Sequence, residues 1–160
     1  MAGPLMGIGR PFLGMQVASR VSRLLRQQDT LGHDVIDSEH RAIGDWWQRT
    51  IRCEPVEFAF FLARLKKLMG MHFDHEAMLM QAAGGRMCEC HYEEHRVLLA
   101  LCEEAGVLSL GHWRKAQSLL RRDLPRLIRE HIIAMDQLVV LFINTQGEIG
   151  GASGANCHMH

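Results

Sequence analysis

Proline is scarce in this chain, with four in 160 residues, so long helices meet few interruptions. Strand signals are few, and no apolar run approaches the roughly 20 residues needed to span a bilayer. A β-rich fold and a transmembrane segment are therefore not expected. Net charge is missing too: Lys+Arg and Asp+Glu both number 18. That balance gives no support to nucleic-acid binding as the main task. The five cysteines, Cys53, Cys88, Cys90, Cys102 and Cys157, are odd in number and form no CxxC pair. Neither a disulfide framework nor a structural zinc site is expected from them, and reduced thiols in a cytoplasmic setting fit best. The length suits one domain with a full core.

What the chain does have is helical periodicity and ten histidines. A first helix is expected over about Asp34 to Ile51, with Ile36, His40, Ile43 and Trp47 on its inner face and Asp34 or Asp37 near its start. Pro55 suits a first helical position, and a second helix should run to about Ala82, where Gly84-Gly85 ends it. Its apolar series Phe58, Phe61, Leu62, Leu65, Leu68 and Met69 leads into His72 and Glu76, which are four apart and so share a face. A third helix is expected over Met87 to Ala105, stopping at Gly106, with His91, His95, Leu98 and Cys102 as its stripe. A less regular stretch follows, in which Ser109 is a candidate cap. Pro125 should then kink or restart a fourth helix that reaches about Asn144, with Ile128, His131, Ile132, Met135 and Val139 near one face. Four amphipathic helices with short connections imply an all-α, antiparallel up-down-up-down four-helix bundle over residues 31–146. Residues 1–30 are expected to form an N-terminal arm, and residues 147–160 read as a flexible Gly/Ser/Ala tail. Residues 1–28 carry arginines and no acid. An arm packed across the main domain, a docking or membrane-surface helix and a transit peptide all fit that stretch.

The inward-facing polar residues are His40, His72, Glu76, His91, His95, His131 and Asp136. Asp136 follows His131 by five residues, which on a regular helix leaves it offset by about 140°. One histidine on an apolar face is usually an ordinary core residue. Five imidazoles and two carboxylates in one small core would cost several kcal/mol per unpaired charge without a metal. Imidazole suits iron, zinc, copper and nickel, and carboxylates can bridge two ions. A ferritin-like site is disfavoured, because it needs two Glu-x-x-His pairs and the chain contains none.

The stretches Ile36-Asp37-Ser38-Glu39-His40, His72-Phe73-Asp74-His75-Glu76, His91-Tyr92-Glu93-Glu94-His95 and His131-Ile132 through Asp136 resemble the hemerythrin family, specifically its bacterial single-domain members. The resemblance covers about residues 31–145. It implies two non-haem iron ions, with His91, His95 and His131 on one and His40 and His72 on the other. Glu76 and Asp136 would bridge them, with a hydroxide or oxo group as a third bridge. With two ferrous ions and one hydroxide, such a centre keeps one net positive charge, tolerable in a low-dielectric core. The implied function is reversible O₂ binding for storage, delivery or sensing, at the open position of the two-histidine iron. Ile43, Phe73, Ile128 and Ile132 are the expected pocket lining. Two other functions share the site: a redox enzyme reducing peroxide or nitric oxide, and an O₂-responsive interaction protein acting through residues 1–28. His75 stands where the family often has an acid, and it is the one nearby candidate for a general acid. Cys88 and Cys90 read as packing or boundary thiols, with a sensor role as the functional alternative. The Cys157-His160 tail is a candidate metal-capturing end, and His33 and His112 are expected at the surface.

Overall fold

The computed structural model describes residues 30–153, and every regular element among them is helical. Helix α1 spans Asp34–Thr50, α2 Pro55–Ala82, α3 Glu89–Arg122 and α4 Leu124–His131. One π-helical turn, Ile132–Asp136, joins α4 to α5, Gln137–Ser153. No described helix is long and apolar enough to cross a membrane. The arm expected over residues 1–30 lies almost wholly outside the described residues.

Local chemistry explains the boundaries. Asp37 accepts hydrogen bonds from the backbone of Leu31 (2.7 Å) and Gly32 (3.1 Å), closing the approach to α1. The residue that caps α1 is half-buried His33, expected at the surface, whose Nδ1 accepts from the Ile36 N–H at 3.5 Å. Pro55 occupies the first turn of α2. That helix closes on Gly84, whose φ of +81° only glycine adopts freely, as the Gly85 N–H bonds the Met80 carbonyl.

The third helix departs from expectation. It passes through Gly106 and continues to Arg122, with a kink at exposed His112 (φ −140°, ψ 52°). Ser109 does not start a new helix; its hydroxyl bonds the Gly106 carbonyl within the turn. One glycine costs a helix only about 1 kcal/mol, and Ala105, Ala116 and Leu120 are fully buried and keep both halves against the core. The half after the kink ties down the end of α1. The Trp47 indole N–H donates to the Leu120 carbonyl at 3.0 Å, and Arg121 donates to the Ile51 carbonyl at 2.7 Å. Pro125 restarts the chain in the first turn of α4. The last helix also runs further than expected: the backbone stays helical past Gly147 to Ser153. No proline interrupts it, and helix propagation tolerates glycine at modest cost. The rest of the expected tail, residues 154–160, lies outside the described residues.

The expectation of reduced thiols fails at one place: Cys88 and Cys90 are joined in a disulfide. Extended backbone at Cys88 (φ −73°, ψ 157°) precedes α3 and brings the two Cα atoms to 5.3 Å, inside the bridging range. A search for CxxC spacing passes over such a pair. Cys53 and Cys102 are free.

The main core gathers Ile43, Trp47, Phe58, Leu62, Leu65, Met69, Phe73, Leu98, Cys102 and Leu120, with a smaller cluster of Ile36, Val139 and Val140 on the other side of the polar residues described below. Replacing Trp47 with Phe keeps an apolar ring but removes the donor to the buried Leu120 carbonyl. The expected loss is about 2 kcal/mol of unfolding free energy, read from urea denaturation. A loss under about 0.5 kcal/mol would mean that this bond does not hold the kinked helix to α1.

Candidate metal centre

The seven inward-facing polar residues converge at one level of the core. His40 comes from α1, His72 and Glu76 from α2, His91 and His95 from α3, His131 from the end of α4, and Asp136 from the π-helical turn. All but His40 are buried, and Glu76 and Asp136 are completely so. The π-helical turn removes the angular offset expected of Asp136. Its Gln137 N–H bonds the Ile132 carbonyl five residues back, so one extra residue fits into the turn. His131 and Asp136 therefore share a face, and their Nε2 and Oδ1 atoms lie 2.9 Å apart.

The donor atoms form two groups. Glu76, His91, His95, His131 and Asp136 make one, and His40, His72 and Asp136 the other. Asp136 belongs to both. Its Oδ1 faces His131 (2.9 Å) and His91 (3.5 Å), and its Oδ2 faces His40 (3.1 Å) and His72 (4.0 Å). Glu76 Oε2 is 3.2 Å from His95 Nε2, 3.6 Å from His91 Nε2 and 3.8 Å from His72 Nε2.

Protein hydrogen bonds do not account for this arrangement. Both carboxylate oxygens of Glu76, Asp136 Oδ1 and His91 Nε2 are buried without a well-formed hydrogen bond. Ring nitrogens also confront each other, His95 Nε2 and His131 Nε2 at 3.1 Å and His40 Nε2 and His72 Nε2 at 3.2 Å. Two imidazoles on one divalent ion at about 2.1 Å, set at right angles, stand about 3 Å apart. The chemistry of the donor set thus fits two cations sharing carboxylates.

The outer ring nitrogens are held by carboxylates that the sequence reading quoted in its motifs but gave no role. Glu39 accepts from His72 Nδ1 at 3.0 Å, and Glu94 accepts from His131 Nδ1 at 2.8 Å. Each acid directly precedes a candidate ligand, His40 or His95, and reaches across to the candidate ligand on another element. The repeated Glu-His pair was the available signal: one residue is a 100° step, which carries the acid to the flank of the helix. Such partners fix the ring orientation and the tautomer. The second oxygen of Glu39 accepts from His75 Nδ1 at 2.8 Å. His75 is 38% exposed and points away from the cluster. The Phe73 ring stacks on His95, with centroids 3.8 Å apart.

Electrostatics follow from this geometry. Burial alone would raise the carboxyls of Asp136 and Glu76. The imidazoles of His131, His40 and His91 outweigh burial at Asp136, and those of His91 and His95 do so at Glu76, so both acids stay below their usual range. Burial would lower His91, but Asp136 and Glu76 push it up to about 9. His131 is raised against burial mainly by Asp136. His95 is lowered, first by burial and then by the charge of His131.

A cavity adjoins the cluster on one side, with about 30 Å³ of room for the centre of a water-sized sphere. About 10–15 Å³ on that measure admits one water, so a diatomic gas fits. Its wall includes His40, His72, Trp47, Met69 and Leu98, together with Ile43, Phe73, Ile128 and Ile132. His75 is not part of the wall.

No protein-family model matches the chain, and no solved structure matches it. The chain is similar to the bacteriohemerythrin of Ralstonia nicotianae (strain ATCC BAA-1114 / GMI1000), with 26% identity over 123 residues, covering 73% of this chain and 85% of that protein. The likeness is distant and supports kinship with hemerythrin-like proteins, nothing narrower.

Ligation needs neutral imidazoles, so protons compete with metal wherever a histidine is raised. His91 holds its proton up to about pH 9 in the metal-free chain. Loading a divalent ion at pH 7 should therefore release at least about one proton, and apparent affinity should rise with pH and level off near pH 9. Titration calorimetry in two buffers of different ionisation enthalpy checks this. Heats that do not depend on the buffer would contradict it.

Proposed function

We propose that the chain binds O₂ reversibly at a non-haem di-iron centre held in an antiparallel four-helix bundle. His91, His95 and His131 would hold one iron and His40 and His72 the other. Glu76 and Asp136 would bridge the pair, with a hydroxide or oxo group as third bridge. When bound, the two irons would supply two electrons and a position for O₂, the chemistry that reversible binding needs.

The observation that carries this reading is the side on which the cavity lies. It touches His40, His72 and the shared Asp136, the whole of the group with fewer protein donors, and of the three imidazoles in the other group it touches His131 alone. A small molecule entering it meets the position that the chain leaves unfilled. The remaining work falls to named residues. Ile43, Phe73, Ile128 and Ile132 exclude water from that position, which slows irreversible oxidation of the metal pair. Glu39 and Glu94 hold the His72 and His131 rings in place through their outer nitrogens.

The same wall weighs against turnover. Reduction of peroxide or nitric oxide consumes protons, and an acid within reach of the bound molecule would favour it. Apart from the candidate ligands, no titratable side chain among the described residues lines the cavity. His75 is engaged with Glu39 on the outer side of His72.

The deciding experiment measures iron per chain together with the visible spectrum of the anaerobically reduced protein, before and after air. Two irons per chain, with a band that develops in air and vanishes when O₂ is removed, is the expected result. A stable oxidised state with no reversible band would replace this reading with redox catalysis or signalling. A chain that takes up no iron would end it.

Ile132 tests the pocket. Ile132→Ala opens the cavity wall and admits water, and it should speed irreversible oxidation in air several-fold with iron content unchanged. Stopped-flow absorption gives the rate, and a rate equal to that of the parent would remove the water-excluding role of this wall.

A further inference from the structure

Two of the four cysteines in the described residues are shielded. Cys102 is buried against Met69, and burial pushes its thiol up to about 12. Cys53 is half-buried, donates to the Thr50 carbonyl and is likewise raised, first by burial and then by Glu57. Cys88 and Cys90 differ in every respect. Both are exposed, and they are bonded to each other across Glu89. The ring they close contains three residues, the short end of the scale on which cross-links stabilise a fold. Neither belongs to a core cluster. A structural staple is therefore a poor account of the pair, whereas exposed disulfides are the labile ones.

The position of the pair supplies the second observation. Cys88 is the N-cap of α3, the helix that presents His91 and His95, and its Sγ accepts from the His91 backbone N–H at 3.3 Å. The state of the sulfur thus bears on the backbone of a candidate metal-holding residue.

We propose that Cys88 and Cys90 form a redox-active thiol–disulfide site, reduced by small thiols and oxidised by hydroperoxides, that sets how firmly the start of α3 holds His91. In oxidation, one cysteine sulfur attacks the peroxide. A sulfur–oxygen bond forms, the oxygen–oxygen bond breaks, and an alcohol or water leaves. The second sulfur then displaces the hydroxyl as water and closes the disulfide. Two electrons and two protons pass from the thiols to the peroxide. In reduction, a small thiol attacks the disulfide and a second one releases it, so that two thiols become one external disulfide. In the oxidised form the three-residue ring fixes the sulfur that caps the His91 N–H. In the reduced form the Cys88 side chain rotates freely. The thiol chemistry stands apart from the metal reading, and only the effect on His91 rests on it.

The test equilibrates the full chain in a series of glutathione buffers, quenches with an alkylating agent and counts free thiols by peptide mass spectrometry. Cys88 and Cys90 should lose their thiols together in one transition within the glutathione range, while Cys102 stays reduced. C88S and C90S should each form a mixed disulfide with glutathione on the remaining cysteine. A pair that stays bonded in the most reducing buffer, or open in the most oxidising one, would overturn the proposal. A second readout follows release of bound cobalt(II) to a chelator from both redox forms. Release from the oxidised form should be at least about three-fold slower. Equal rates would overturn the link to His91. Failure of the chain to take up cobalt would tell against the metal reading, and the thiol count would still decide the thiol chemistry.

Discussion

The rest of the structure depends on an unfavourable act: five imidazoles and two carboxylates taken out of water at one level of a helical core. Burying ionisable groups costs several kcal/mol each unless something replaces the lost hydration. The imidazolium–carboxylate pairing within the cluster replaces part of it, which is why Asp136 and Glu76 stay ionised and His91 stays protonated in the metal-free chain. Pairing does not complete the account, because Glu76 keeps both oxygens without a well-formed hydrogen bond and ring nitrogens stand face to face. A metal ion held by such a cluster would replace the missing partners. The apolar clusters on either side keep the polar cluster in place. Trp47, Met69 and Leu98 close it from one side, and Ile36, Val139 and Val140 from the other.

Much of this was legible from spacing. His72 with Glu76 and His91 with His95 are four apart, so a regular helix alone brings each pair to one face. His40 needs only the apolar stripe of Ile36, Ile43 and Trp47 to show which way it points. All seven come together in the structure, and so do the four residues named for the pocket wall. What stayed hidden was of another kind. The 140° offset assigned to Asp136 assumed a regular helix, and periodicity cannot announce a π-helical turn, because its extra residue is absorbed in backbone hydrogen bonds. The kink at His112 was hidden for the opposite reason. Gly106 looked like a helix end, but burial of Ala105, Ala116 and Leu120 outweighs the local preference of one glycine. Glu39 and Glu94 went unassigned because their partners lie on other elements, and sequence spacing speaks only for contacts within one helix.

Those two acids give the site its rigidity. The Glu-His pairs on α1 and α3 act crosswise: the histidine turns inward while the acid before it grips a ring belonging to another element. His72 is thereby tied to α1 and His131 to α3. A shift of any one element would disturb a ring at the centre. The cluster and the helix packing therefore hold each other in register, and the precision of the site is a property of the whole fold.

The asymmetry of the cluster bears most directly on chemistry. Three imidazoles and two carboxylates crowd one side, while two imidazoles and the shared Asp136 make up the other. The cavity reaches both imidazoles of the poorer side and only His131 of the richer one, and the rest of its wall is mostly apolar, with isoleucines, Phe73 and Trp47. Outside the cluster, no titratable side chain among the described residues lines it. Titratable side chains do stand nearby, but His75 and Glu39 lie behind the His72 ring. The His72 imidazole thus stands between the titratable outer side and the largely apolar cavity, with its outer nitrogen bound to Glu39 and its ring in the cavity wall. The proposed reading, a gas bound and released rather than reduced, depends on that separation.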